Sequence, residues 1–266
     1  MTNVLDMFRL DGKVALVTGG AGKYGSQIVY ALLQAGADVW VASRSLEKNE
    51  EFAEKLKKEG YTKVHAASYD QGDESSILAL RDKIMAEHGR FDILVNNSVA
   101  RVGAYGWYGD ADKFTESLTI NGTGMFVVTR TFGKIMAEQK SGSIINIGSY
   151  MGDLAADPWL YEESESMKGS GFRAPDYFFH KSGMHNFTRL AASFYGPDNV
   201  RVNCLSLGGL FANQDPNFVK RYSTKTFLGR MANDTDIMGM IVYLASDASQ
   251  YLTGTVIPLD GGYSAK

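Results

Sequence analysis

Strand-like and helix-like stretches alternate along this chain from one end to the other, and no other feature narrows its fold as far. Short apolar runs at residues 13–18, 38–42, 63–67, 92–96, 143–148, 200–205 and 254–258 read as seven strands. Helical patterns fall between them. One follows Gly25, with Ile28, Leu32 and Ala35 at 3–4 spacing; others cover 46–58, 73–88, 113–139, 177–195 and 235–245. Such alternation predicts an α/β fold, a Rossmann-type doubly wound seven-stranded parallel sheet with helices on both faces. No Pro-, Ser- or Gly-rich linker and no repeat divides the chain, so residues 1–266 are expected to form a single domain. The least regular stretch, 152–174, is rich in Glu, Ser, Gly and aromatics and too long for an ordinary connection.

Composition permits this and excludes several alternatives. Hydrophobic residues are 44% of the chain and aromatics 12%, ample for a core and contrary to disorder. A net charge of −3 offers no general attraction to nucleic acid or to an anionic membrane. Cys204 is the single cysteine, which rules out an internal disulfide and fits a reducing compartment. The four histidines, His65, His88, His180 and His185, show no zinc-ligand spacing, and no metal is expected. No apolar run reaches transmembrane length, and Asp6 and Arg9 interrupt the N-terminus, so a cytoplasmic protein is expected.

The first strand breaks into glycines, Thr18-Gly19-Gly20-Ala21-Gly22-Lys23-Tyr24-Gly25, and re-emerges as a helix. Glycines there let the backbone turn sharply and approach a ligand, while the helix N-terminus aims N–H groups at a diphosphate. A glycine cluster at a strand-to-helix switch so near the start of the chain points to a dinucleotide site. Further along stand Asn96-Asn97-Ser98-Val99 after the fourth strand, Asn121 in NGTG, Ser149 in NIGSY, and Tyr177-x-x-x-Lys181. A tyrosine phenol has a pKa of about 10 and is a poor base; a lysine one helical turn away favours its phenolate. Tyr161 competes for that place, but Glu165 lies four residues on and would oppose the phenolate, so Tyr177 is preferred.

With these motifs in this order behind the glycine loop, the chain resembles the short-chain dehydrogenase/reductase family over essentially its whole length. The ending FLGRM…DIMGMIVYLASDASQYLTGTVIPLDGG is similar to that of the family's single-domain branch. The resemblance implies an NAD(P)(H)-dependent oxidoreductase of alcohols and ketones, a homotetramer, and catalytic roles for Asn121, Ser149, Tyr177 and Lys181. In those roles Tyr177 exchanges the proton, Ser149 bonds the same substrate oxygen and Asn121 holds a relay water near Lys181. Cofactor contacts are expected from Gly19, Gly22, Lys23, Tyr24, Gly25, Ser43, Arg44, Asp70, Asn97 and Gly208. Ser43-Arg44 at the end of the second strand offers no carboxylate to repel a 2′-phosphate and a guanidinium to clamp it, which favours NADP(H).

Three departures from the family pattern fall in the cofactor region. Lys23 stands where a glycine is usual, Ser98-Val99 replaces Ala-Gly, and Leu207 precedes Gly208 where proline is usual, with Ala212 in place of a threonine. The stretch 152–174 contains an insertion of roughly fifteen residues and is expected to form a substrate lid. That insertion resembles a branch near gluconate 5-dehydrogenase and sugar-modifying reductases. Trp107, Trp159, Tyr161 and Arg173 are the candidate lining for a sugar or sugar acid. A 3-oxoacyl thioester reductase and a catalytically idle NADP-binding regulator are the competing readings.

Overall fold

The computed structural model describes residues 3–102, 106–164 and 174–265. Seven strands, β1 (Val14–Thr18), β2 (Asp38–Ser43), β3 (Val64–Ser68), β4 (Ile93–Asn96), β5 (Gly142–Ser149), β6 (Val200–Leu207) and β7 (Val256–Leu259), form one parallel sheet. The sheet is parallel throughout, as the alternation predicts, and its order is β3-β2-β1-β4-β5-β6-β7, that of a doubly wound fold. Successive strand residues point to opposite faces and feed two separate cores. Ala15, Val17, Val39, Val41, Ile145 and Ile147 pack under α1 (Lys23–Gln34), α2 (Leu46–Lys58) and α8 (Met238–Ala245). Val14, Leu16, Trp40, Leu94, Ile144 and Val202 pack under α3 (Glu74–His88), α5 (Met125–Gln139) and α6 (Pro175–Tyr195).

The structure corrects the sequence reading in two places. The helix expected over 113–139 is interrupted: α4 (Ala111–Leu118) passes through a π-helical stretch, Thr119–Gly124, before α5 begins. A π stretch breaks the regular bond ladder and is concentrated at functional sites. A helix with no counterpart in the sequence reading, α7 (Pro216–Lys225), follows β6. Its start signals were present: Pro216 opens it, and the Asp215 carboxylate accepts from the Asn217 and Phe218 amides. None of the described helices is long and apolar enough to cross a membrane.

A buried chain of side-chain amides and hydroxyls locks the middle of the sheet to α5 and α6. Asn96 Nδ2 donates to Thr129 Oγ1 (3.0 Å) and to Asn146 Oδ1 (2.8 Å). Asn146 Nδ2 donates to Thr188 Oγ1 (2.9 Å), which in turn donates to the Met184 carbonyl. Each group here is fully enclosed, so losing one partner leaves another unsatisfied. Asn146→Ala is expected to cost about 3 kcal/mol, through the unpaired groups of Asn96 and Thr188 and the space left behind. Urea unfolding at pH 7 measures it, and a cost under about 1 kcal/mol contradicts the network's importance.

Candidate active site

The sheet order reverses between β1 and β4, and the cleft opens at the carboxyl ends of these two strands, where doubly wound sheets take ligands. Gly19 leaves β1 at φ +65°, the left-handed region, and the backbone turns there into α1. Gly22 caps that helix with no side-chain acceptor for its first amides, so they remain for a ligand. The loop after β4 is laced to this turn. Asn97 Nδ2 donates to the Thr18 and Gly19 carbonyls (2.9 and 3.1 Å), and Thr18 Oγ1 accepts from the Asn97 and Ser98 amides.

Two cavities sharing Asn97 and Val99 run along this edge. The first, about 410 Å³, is bordered by Gly19, Gly22, Ser43, Arg44, Lys48 and Asp70. Ser43 Oγ donates to Asn49 Oδ1 (2.9 Å), and Asp70 Oδ1 accepts from the Gly72 amide (2.8 Å). Arg44 and Lys48 stand exposed at its rim, and Lys48 is a cation that the sequence reading missed. A left-handed glycine turn, uncapped helix amides, an acidic side chain and two rim cations make a donor set that fits a dinucleotide with its phosphates. Lys23 and Tyr24 border the second cavity instead. The Tyr24 hydroxyl donates to the Gly208 carbonyl (3.0 Å) and ties α1 to the loop after β6. Gly25 is buried in the same helix, against the Gly19–Gly20 turn.

The second cavity, about 700 Å³, brings together Ser149, Tyr177 and Lys181. Lys181 is only 4% exposed, and its Nζ donates to the Ile147 carbonyl at 2.6 Å. It lies 5.6 Å from the centre of the Tyr177 ring, as does the guanidinium of Arg101. Ser149 Oγ accepts from the Met151 amide (3.2 Å), which leaves its own hydrogen to donate elsewhere. Asn121 does not border the cavity. It is buried in the π stretch, with Oδ1 accepting from the Ala100 amide (2.8 Å) and Nδ2 donating to the Ala100 carbonyl and Ser117 Oγ. Ser117 Oγ donates to Asp176, the residue before Tyr177, so Asn121 clamps the β4 loop to the first turn of α6. Arg101 and Gln214 border the cavity without having been anticipated; an arginine in a loop with no spacing pattern carries no sequence signal.

The expected substrate residues divide. Tyr161 borders the cavity, packed on Phe218, and burial followed by the charge of Asp157 pushes its phenol up, contrary to a role as base. Trp159 faces α7, its ring centre 4.6 Å from the Arg221 guanidinium and 5.0 Å from Lys225 Nζ. Arg221 also pairs with Glu162 (3.3 Å) and Glu163 (2.5 Å), so these carboxylates are spent on α7. Trp107 is 78% exposed and apart from the cavity, and Arg173 lies outside the described residues. A Cβ at Gly152 would come 2.8 Å from His185 Nε2, so close packing against α6 requires a glycine there.

A family model described as enoyl-(acyl carrier protein) reductase matches residues 23–264. The chain belongs to the short-chain dehydrogenase/reductase family. As a short-chain dehydrogenase/reductase it is an oxidoreductase of alcohol and carbonyl groups that uses NAD(P). The 2-dehydro-3-deoxy-D-gluconate 5-dehydrogenase of Escherichia coli is 32% identical over 99% of this chain and 100% of its own. A ribulose-forming D-arabinitol 2-dehydrogenase of Scheffersomyces stipitis is 32% identical over 98% of this chain and 97% of its own. Among solved structures, a gluconate 5-dehydrogenase of Burkholderia cenocepacia in complex with NADP and tartrate superposes with TM-score 0.88. It is 26% identical, covering 99% of this chain and 100% of that one.

His180, between Tyr177 and Lys181, offers a test of this packing. Burial, and then the neighbouring Lys181 charge, lower its pKa to about 3, while Nδ1 sits 3.1 Å from the Asp176 carbonyl. The folded ring is therefore neutral, and the unfolded chain binds its proton first, near pH 6.5. Its contribution to stability is complete above that pH and is lost as pH falls toward 3, by up to about 1.4 kcal/mol per pH unit. His180→Gln should flatten the fall in urea-unfolding free energy between pH 7 and pH 5; an unchanged slope contradicts the neutral, buried ring.

Proposed function

We propose that this chain, acting as one catalytic domain, is an NADP(H)-dependent oxidoreductase that interconverts a ketone and a secondary alcohol on a sugar acid. The observation that carries the reading is one cavity holding Ser149, Tyr177 and Lys181 next to the dinucleotide cleft, with Arg101 beside the tyrosine. When bound, the nicotinamide supplies or accepts the hydride. Tyr177 gives or takes the proton of the substrate oxygen, and the Lys181 ammonium stabilises negative charge on the phenol oxygen. Ser149 donates its hydrogen to the same oxygen. The side chain of Asn121 is spent on Ala100 and Ser117, so its part in the proposed site is to hold the loop after β4 and the first turn of α6 in place.

The substrate class rests on charge. Lys23, Arg101 and Lys181 border the cavity, and no carboxylate does among the described residues. Lys181 is tied to the Ile147 carbonyl, and Arg101, beside the Tyr177 ring, is the group proposed to read a substrate carboxylate. The gluconate 5-dehydrogenase and 2-dehydro-3-deoxy-D-gluconate 5-dehydrogenase among the similar proteins support this reading. Arg44 and Lys48 at the other end support a 2′-phosphate and hence NADP(H), and the solved neighbour holds NADP. The wall at 157–164 docked on α7 gives the cavity a cover on one side, as a substrate lid requires.

A panel of keto-sugars, keto-acids, polyols and acyl thioesters, followed by NADPH absorbance, tests the proposal. Sugar acids should have the highest kcat/KM; Tyr177→Phe should cost about 10²–10⁴-fold in turnover. Arg101→Gln should raise KM for sugar acids about tenfold or more, leaving neutral polyols and NADPH affinity unchanged. NADPH should bind more tightly than NADH, and Arg44→Asp should reverse the order. Preference for acyl thioesters, or equal use of NADH, overturns the corresponding part.

A homotetramer is also proposed. Phe126 on α5 and Phe179, Leu190 and Phe194 on α6 are 46–72% exposed, an apolar surface suited to isologous contacts. Light scattering at micromolar concentration should give four chains per particle; a monomer contradicts it.

A further inference from the structure

At the opposite end of the sheet from the cleft, three elements far apart in sequence bring two imidazoles and two carboxylates together. Asp38 opens β2, His65 is the second residue of β3, and Glu87 and His88 close α3. Ligand atoms of Asp38, His65 and His88 all lie within 4.8 Å of one another. His65 Nε2 faces Asp38 Oδ1 at 2.6 Å, and His65 Nδ1 faces Glu87 Oε1 at 3.0 Å. A neutral imidazole has one N–H and can donate to only one of these oxygens. If Nδ1 donates to Glu87, the lone pairs of Nε2 and Asp38 oppose each other, a conflict that a proton shared by the two or a metal ion bound by both removes. The His88 ring stands edge-on to His65, with centres 5.3 Å apart. Trp40 Nε1 donates to His88 Nε2 (3.0 Å), so that nitrogen carries a lone pair and not a hydrogen.

We propose that Asp38, His65 and His88 form a binding site for a divalent transition-metal ion, Zn²⁺ above all. Two imidazoles and one carboxylate are the donor set that Zn²⁺ and its first-row neighbours take, whereas Mg²⁺ and Ca²⁺ prefer oxygen. Glu87 on the far nitrogen of His65 is the outer carboxylate that fixes a metal-ligating histidine in its tautomer. Lys83 Nζ lies 5.2 Å from the centre of the Trp40 ring, and the two carboxylates outweigh this cation. Spacing along the chain hides the site, because its ligands arrive from three separate elements. The ion would pin edge strand β3 and the end of α3 to β2. Its effect is on stability, since the reacting groups are at the other end of the sheet.

Trp40 reports on occupancy. Its indole stacks on His65 (4.7 Å, 14°) and bonds His88, so an ion that takes the His88 lone pair must displace that N–H. The full-length, untagged protein carrying Trp107→Phe and Trp159→Phe, dialysed against EDTA, leaves Trp40 as the sole tryptophan. Titrated Ni²⁺ should quench its fluorescence to saturation at one ion per chain, and calorimetry with Zn²⁺ should give the same stoichiometry with a rise in Tm. His65→Gln and His88→Gln should each lower the Zn²⁺ affinity by tenfold or more while retaining the far-UV spectrum and NADPH binding. Absence of saturable one-to-one binding overturns the proposal and leaves a proton-bridged network; so does binding that survives both substitutions, or Mg²⁺ binding as well as Zn²⁺. Should either glutamine variant fail to fold, Asp38→Asn, which keeps shape and removes the charge, decides by the same titration.

Discussion

The hold of β5 on α6 decides whether the candidate site is assembled at all. Lys181 is almost wholly enclosed, and a buried ammonium is costly unless its hydrogens find acceptors. The Ile147 carbonyl takes one of them at 2.6 Å, two residues before Ser149 on the same strand. That bond fixes the distance between the strand that carries Ser149 and the helix turn that carries Tyr177. The lysine also borders the cavity. Below it, Asn146 and Thr188 repeat the strand-to-helix tie with neutral groups. The elements thus meet at the candidate site through a charge and deeper down through amides and hydroxyls.

The approach of α6 to β5 has to be close, and the sequence accommodates it with small residues. On α6, His185 Nε2 would lie 3.2 Å from a Cβ at Gly148 and 2.8 Å from one at Gly152, while Cys204 Sγ on β6 closes in on Gly148 from the other side at 2.6 Å. His185 Nδ1 reaches Asp153 at 3.1 Å, so the first residues of the insertion are drawn onto α6. From Asp157 onward the insertion turns instead to α7, through Lys225, Arg221 and the Trp159 ring. Arg221 keeps only 12% of its side chain exposed while meeting Glu162 and Glu163, a more enclosed arrangement than an ordinary surface pair. The cavity wall is therefore carried by two helices, one of which holds the candidate catalytic pair.

Much of this was legible because the governing signals are local. A buried strand reads as an apolar run wherever it packs, and a glycine turn before a helix keeps its meaning without knowledge of its neighbours. Tyr177 and Lys181 share a helix face by spacing alone. What was not legible depends on segments meeting across the fold. Trp159 has the composition of a pocket residue but finds two cations on α7. Asn121 sits in the family's motif, yet its side chain is spent on Ala100 and Ser117, partners that only the folded chain brings to it. The helix α7 was missed because its apolar stripe is thin, although Asp215 and Pro216 announce its start. Arg101 follows an irregular loop, where neither period nor cap gives a side chain its direction.

The charge on the cleft shows why composition is a poor guide to a site. The chain as a whole carries −3, but positive side chains are spread along the cleft: Arg44 and Lys48 at one end, Lys23 midway, Arg101 and Lys181 at the other. Screening confines each charge to about 8–10 Å at ordinary ionic strength, so a ligand meets this local field and not the net charge. Low-dielectric walls strengthen the field inside a cleft. Asp70 interrupts the series only in the first cavity, where its carboxylate already takes the Gly72 amide. A ligand matched to such a row has anionic groups at intervals: phosphates toward Arg44 and Lys23, and a carboxylate toward Arg101. The same row penalises a neutral polyol only weakly, since an unpaired but solvated arginine costs little. The proposed selectivity for acids over polyols therefore rests on attraction to the acid and not on exclusion of the polyol.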